Sequence, residues 1–250
     1  MKSEYNAQRK RNIFFPLDTE PFELSRTKIE NFKKCPRCFY LDRKCGTGQP
    51  SMFPYTLNKA VDALLKNEFD QYRAEKKAHP YIIENNIDAI PYSHKDLNTW
   101  RTSGIKYEHE ATNFTVTGIV DDVWINSKGD LIIVDYKATS TSKEVNLDDR
   151  DSYKRQIEVY QWLFRKNGFK VSNTGYFVYC NGDSSLGKFA RSLQFKVLLL
   201  PYEGDDSWVE KILFDIKACL MSDKLPEPST SCDYCKYYNA VNRHISKYLS

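Results

Sequence analysis

No stretch of this chain stays apolar for the roughly 20 residues that a bilayer-crossing helix needs. Its N-terminus, which runs into Arg9, Lys10 and Arg11, has no hydrophobic core of a secretion signal behind it. These absences argue against a membrane partner and make a cytoplasmic location the default. The basic trio is too short for a localisation patch. Neither the glycine-rich phosphate loop of P-loop proteins nor a dinucleotide fingerprint occurs, which disfavours a kinase, an ATPase or an NAD enzyme. Helicase motifs, internal repeats and low-complexity segments are also missing. The four histidines, His79, His94, His109 and His244, are scattered, with none in register to act as a base. A large charge excess is lacking too: the net charge of +4 permits phosphate binding without arguing for it.

What is present is a chain of 250 residues, long enough to bury a sizeable core as one domain. Residues 1–24 read as an extended arm. Thr27 and Glu30 have the spacing of a capping box ahead of a helix over about 28–41, with Ile29 and Phe32 inward. A connection over 45–54 leads to the clearest helix, 56–77, where Leu57, Val61, Leu64, Leu65, Phe69 and Tyr72 recur at helical spacing. Residues 78–105 read as irregular, so that 56–105 can form a lobe or lid. From Lys106 the hydrophobic period changes to two. Strands are expected over 106–112, 114–125 and 131–138, the last two joined by a turn at 126–129. A helix over 152–166, strands near 173–180 and 189–200, a helix over 206–221 and a cysteine-bearing tail over 226–250 complete an α/β (α+β) chain with a mixed central sheet.

Within this pattern, Asp121 and Asp135 fall on two neighbouring strands, each sharing a face with aliphatic residues. A carboxylate at such a position needs a partner, because uncompensated burial costs several kcal/mol. Mg²⁺ or Mn²⁺ supplies one, since both prefer carboxylate oxygens. Lys137, two residues past Asp135, projects from the same face. Its ammonium can orient or help deprotonate an attacking water, or stabilise charge developing on a phosphate. Two carboxylates and a lysine so placed are the minimal parts of a divalent-metal phosphodiesterase. The spacing alone is also satisfied by structural ion pairs.

Gly118 followed by Asp121, then Asp135-Tyr-Lys137, then Gln156 and Tyr160 four apart on a helix face, resembles the PD-(D/E)XK nuclease superfamily. Within it, the chain looks like the RecB/AddB/Cas4-like branch. The resemblance implies a restriction-endonuclease-like core with a mixed central β-sheet flanked by helices. The implied activity is a divalent-metal-dependent DNA nuclease, an exonuclease releasing 5′-phosphate ends, with DNA as partner and a helicase or other repair or defence subunit as a separate chain. Asp62, Asp121 and Asp135, with the backbone carbonyl of Tyr136, would hold the metal. Lys137, Gln156 and Tyr160 would complete the catalytic set, although Tyr160 also suits plain packing on the sheet. The branch carries a G-x-x-x-H motif upstream, where this chain has Asn58 and Asp62. That departure leaves Asp62 open between a ligand and a solvated helix aspartate. It supports, as the alternative, a catalytically inactive or partner-dependent nucleic-acid-binding protein that keeps the fold.

Seven cysteines are an odd number and suit a reduced compartment. Cys35 and Cys38 form one C-x-x-C unit, Cys232 and Cys235 another. Four thiolates in two pairs can enclose Zn²⁺ or an iron–sulfur cluster and clip both ends of the chain onto the core. The resemblance points to a 4Fe–4S cluster, but the last cysteine expected after Cys235 is missing, so Cys38 or His244 would take its place. Unligated buried thiols satisfy the same spacing. Cys45, Cys180 and Cys219 read as structural. A DNA-binding groove would draw on Arg9–Arg11, Lys33, Lys34, Arg37, Arg43, Lys44, Arg165 and Lys166. Lys154 and Arg155 are the best placed, just ahead of Gln156.

Overall fold

A computed structural model describes residues 9–50, 55–185 and 187–248. Residues 1–8 of the expected arm and 51–54 of the expected connection therefore lie outside the described residues. The elements in chain order are β1 (Phe22–Ser25), α1 (Arg26–Lys34), α2 (Pro36–Arg43), α3 (Thr56–Glu75), α4 (Pro80–Glu84), β2 (Ile90–Pro91), α5 (Leu97–Thr102), β3 (Ile105–His109), β4 (Phe114–Gly118), β5 (Asp122–Ile125), β6 (Leu131–Thr139), α6 (Asp151–Lys166), β7 (Thr174–Gly182), β8 (Phe195–Glu203), α7 (Trp208–Met221) and α8 (Asp233–Tyr248). They belong to two compact units, residues 53–107 with 117–209, and residues 1–52 with 108–116 and 210–250. No helix among the described residues is long and apolar enough to cross a membrane.

The unit built from 53–107 and 117–209 carries a five-stranded sheet in the order β2–β5–β6–β7–β8. β5 and β6 are an antiparallel hairpin, β6 and β7 are parallel, and β7 and β8 are antiparallel, so the sheet is mixed. The parallel step needs a crossover, and α6 provides it. Alternation along β6 sorts its side chains as the period-two reading expects. Ile132, Val134 and Tyr136 join Leu65 and Phe69 of α3 and Trp124 of β5 in a buried cluster. On the opposite face, α6 comes so close to the sheet that Ile157 sits over Gly175. Helices thus flank both faces of the mixed sheet, which is the restriction-endonuclease-like arrangement.

In the other unit, Phe14, Leu24, Ile29, Phe32, Phe39 and Phe114 are buried, as is the α7 stripe Ile212, Leu213, Ile216 and Leu220. Asp42 is buried there as well; burial opposes its charge, but Lys28, Arg43 and Arg9 outweigh it and hold the carboxylate below the usual range.

Several local expectations are corrected. The single helix over 28–41 is two helices, because Pro36 lacks the amide that would continue α1, and the break falls at Cys35. Ser25 rather than Thr27 caps α1, with no side-chain capping bond. On α3, Leu65 and Phe69 are buried, but Leu57 and Leu64 are exposed. Residues 78–105 contain α4, β2 and α5, and β2 pairs with β5. The 114–125 strand is interrupted at 119–121, and the cysteine-bearing tail includes a 16-residue helix, α8.

Candidate active site

The interruption between β4 and β5 determines where the first aspartate goes. Asp121 lies in the break, not on a strand, one residue ahead of β5. Freed from the sheet's alternation, its carboxylate accepts a hydrogen bond from the Tyr136 backbone N–H at 2.9 Å. The adjacent Asp122 turns the other way and is fully buried. Its carboxylate takes Arg73, Arg101 at 2.7 Å, the Tyr136 hydroxyl at 2.8 Å and the Val123 N–H at 2.8 Å. Arg101 also donates to the Asp121 carbonyl at 3.0 Å and grips Asp70 through both oxygens at 2.8 and 2.9 Å. Asp122 is therefore the anchor of the hairpin, and Asp121 the acid it presents. Burial and the Asp122 carboxylate push the Tyr136 phenol well above its ordinary value, so it stays a donor.

Asp135, in the middle of β6, is fully buried and forms an ion pair with Lys137. Burial pulls the Lys137 ammonium down, but the carboxylates of Asp135 and Asp121 outweigh it, and its pKa ends above the ordinary value. Lys137 continues into α6: Nζ donates to Gln156 Oε1 at 3.2 Å, and Gln156 Nε2 donates to the Tyr160 hydroxyl at 3.1 Å. The Lys137 ammonium also lies 4.6 Å from the centre of the Tyr153 ring. One chain of contacts thus runs from Asp135 through Lys137 and Gln156 to Tyr160.

Gly118 makes that contact chain sterically possible. A Cβ placed there would stand 2.7 Å from Tyr160 Cε1 and 2.8 Å from Leu163 Cδ1. Both atoms belong to buried side chains with little room to retreat. Gly118→Ala is expected to push α6 off β4, at about 1–3 kcal/mol for overpacking. A urea melt would register the loss, and a variant as stable as wild type would show that the contact is soft.

Asp62, on α3, is half-buried and bonds Lys66 at 2.9 Å, while the same ammonium reaches Asp121 at 3.3 Å. Burial and the nearby Asp121 charge raise the Asp62 carboxyl above its usual range. Lys66 is the residue that the sequence reading missed, although its i,i+4 spacing from Asp62 marks it as a helix-face partner. Asn58 donates to the Ala138 carbonyl at 2.7 Å, tying α3 to the end of β6.

The donor set fits a hard divalent cation. Asp121 and Asp135 offer only oxygens, and positive charge already stands against both of them in Lys66 and Lys137. Asp62, Asp121 and Asp135 do not close to within 4.8 Å of one another, however. Among the described residues, the group of three or more metal-ligating side chains that does so is Cys35, Cys38, Cys232 and Cys235. Their Sγ atoms approach at 3.8 Å for Cys35 to Cys235, 3.5 Å for Cys38 to Cys232 and 3.6 Å for Cys38 to Cys235.

Of the basic residues expected at a nucleic-acid surface, Arg43 is buried against Asp42, and Arg165 is committed to Asp206 at 2.6 Å. Lys154 and Arg155 are partly exposed, 3.7 and 4.0 Å from Asp151. A polar cleft of about 460 Å³ lies beside the end of β6, lined by Lys143, Asn146, Arg150 and Tyr179 among others. Tyr179 is the register partner of Lys137.

A family model described as the PD-(D/E)XK nuclease superfamily matches residues 23–240. Comparison with curated proteins gives no match. A solved structure titled "Crystal structure of SSO0001" is 14% identical, with 82% of this chain and 79% of that chain covered and a TM-score of 0.38. A likeness at that level adds nothing to the family assignment.

Proposed function

The chain belongs to the PD-(D/E)XK nuclease superfamily, and we propose that it is a divalent-metal-dependent DNA nuclease of the RecB/Cas4-like kind, acting as an exonuclease. The observation that carries this reading is the fully buried Asp135 joined through Lys137 and Gln156 to Tyr160, with Asp121 held at the adjacent sheet break.

In this reading Asp121, Asp135 and the Tyr136 carbonyl would hold Mg²⁺ or Mn²⁺, and Asp62 would join them only if Lys66 yielded its place between Asp62 and Asp121. When bound, the ion polarises the scissile phosphate and acidifies water. Lys137, kept charged by its carboxylate neighbours, donates to the attacking water or to a phosphate oxygen as negative charge builds there. Gln156 fixes the direction of that ammonium, and Tyr160 fixes Gln156. Hydrolysis would form a bond from the water oxygen to phosphorus as the bond to the 3′ oxygen breaks, with the water's proton ending on that oxygen, so the products are a 3′-hydroxyl and a 5′-phosphate. Arg150 and Lys143, in the cleft beside β6, suit the phosphates of the incoming strand.

The Lys66 bridge favours a second reading, a DNA-binding protein with an inactive or partner-dependent site, because an ammonium already neutralises Asp62 and Asp121. The two readings separate on end-labelled linear and covalently closed circular DNA with Mn²⁺. The exonuclease reading predicts trimming of linear DNA to 5′-phosphorylated mononucleotides or short products, with circles intact and Lys137→Met inactive yet still DNA-binding. Cut circles would show an endonuclease. Binding without any cutting would support the second reading.

A further inference from the structure

We infer that Cys35, Cys38, Cys232 and Cys235 form a closed, mononuclear tetrathiolate zinc site, not an iron–sulfur centre. The distances between the sulfurs carry the choice of one shared ion over a cluster, and zinc is the ion that four thiolates in two C-x-x-C units hold as a closed structural site. A Zn–S bond of about 2.3 Å in a tetrahedron sets its sulfurs about 3.8 Å apart. Here three Sγ pairs lie at 3.5, 3.6 and 3.8 Å, and all four fall within 4.8 Å of one another. A 4Fe–4S cluster gives each thiolate an iron of its own at a separate corner, which spreads the sulfurs well beyond the spacing set by one shared ion. The cysteines of this chain leave no room for such a cube.

The two halves of the site are built alike. Cys35 is the N-cap of α2 and Cys38 its third helical residue. Cys232 directly precedes α8, and Cys235 is that helix's third residue. Two helix N-termini therefore stand beside the four sulfurs. The Ser229 N–H adds a bond to Cys35 Sγ at 3.5 Å. Three of the four cysteines are buried, and Cys38 is partly so. The four sulfurs fill a tetrahedral shell and leave no position for water or substrate, so the ion is structural. It links segments about 200 residues apart in sequence, residues 35–38 and 232–235. Arg37 reinforces the same junction by donating to the Pro226 carbonyl at 2.8 Å.

The test is elemental analysis of the full chain, purified with oxygen excluded, combined with a visible spectrum and a sulfide assay. About one zinc per chain is expected, with neither sulfide nor visible absorption, since zinc's filled d shell gives no colour. Cys38→Ser should lose most of that zinc, and Cys45→Ser, which alters an exposed thiol outside the site, should keep it. If Cys38→Ser fails to fold, replacing zinc with Co²⁺ in the wild-type chain should still give the visible bands of a tetrahedral thiolate site. Iron in place of zinc, with or without matching sulfide, found as purified or after anaerobic reconstitution, would overturn the inference. So would disulfides between these cysteines, or four free thiols without metal.

Discussion

Asp122→Ala is expected to cost about 3–5 kcal/mol of stability, the range for removing one partner of a buried charge network. Asp122 has no exposed surface, and its carboxylate collects two guanidinium groups, a phenol and a backbone amide. The alanine variant would take from Arg73 and Arg101 the buried carboxylate they share, leaving both on the half-exposed Asp70 and on backbone carbonyls, that of Asp121 for Arg101 and that of Tyr92 for Arg73. It would also leave the Tyr136 hydroxyl unsatisfied on the core side of β6. Asp122→Asn keeps the volume and part of the hydrogen bonding, so its loss should be smaller. Asp70→Ala should cost less still, because Asp70 is half-exposed and solvent screens its pairs. Urea melts of the three variants would test this ordering. Equal stability of Asp122→Ala and wild type would show that the network does not hold the hairpin.

The same network governs the site, because Arg101 grips the Asp121 carbonyl while Tyr136 bridges the two acids, giving its hydroxyl to Asp122 and its N–H to Asp121. This division of labour was not legible in the sequence. Two adjacent aspartates ahead of Val123 look equivalent, and the arginines that distinguish them lie 49 and 21 residues away from Asp122. The break at 119–121 was hidden for a related reason: Ile119 and Val120 continue an apolar run, and nothing local marks where pairing stops. The β5–β6 hairpin and the facing of β6 were legible, because alternation is a local property and the Asn126–Asp130 turn is encoded in its own residues. The pairing of Gln156 with Tyr160 follows from i,i+4 spacing alone. Its connection to Lys137 depends on how closely α6 meets the sheet, and that depends on Gly118. The helix break at Pro36 is readable from proline's missing amide, although Ile29 and Phe32 alone suit one continuous helix.

The sulfur site shows the converse limit. Spacing of the two C-x-x-C units told that four thiols are available, but not how far apart the fold would hold them. That distance separates a single ion from a cluster, and it is a property of where α2 and α8 begin.

On the proposed mechanism, Asp135→Asn should lower cleavage by on the order of 10³-fold, because it would remove a metal-ligand charge and the counter-ion of Lys137 together. Asparagine keeps the shape of a side chain that has no exposed surface. The β6 register should therefore survive, and circular dichroism should show a folded protein. Lys137 loses its nearest anion but keeps Gln156 at 3.2 Å. Mn²⁺ binding followed by calorimetry should weaken along with activity, separating loss of metal from loss of fold. The most direct measurement is cleavage of labelled single- and double-stranded DNA by the wild-type chain and by Asp135→Asn, each with Mg²⁺ or Mn²⁺ and again with EDTA. The account predicts cutting by the wild-type chain that needs the metal and disappears in the folded variant. Wild-type cutting that persists in EDTA, or a folded Asp135→Asn that cuts as fast as wild type, would contradict it.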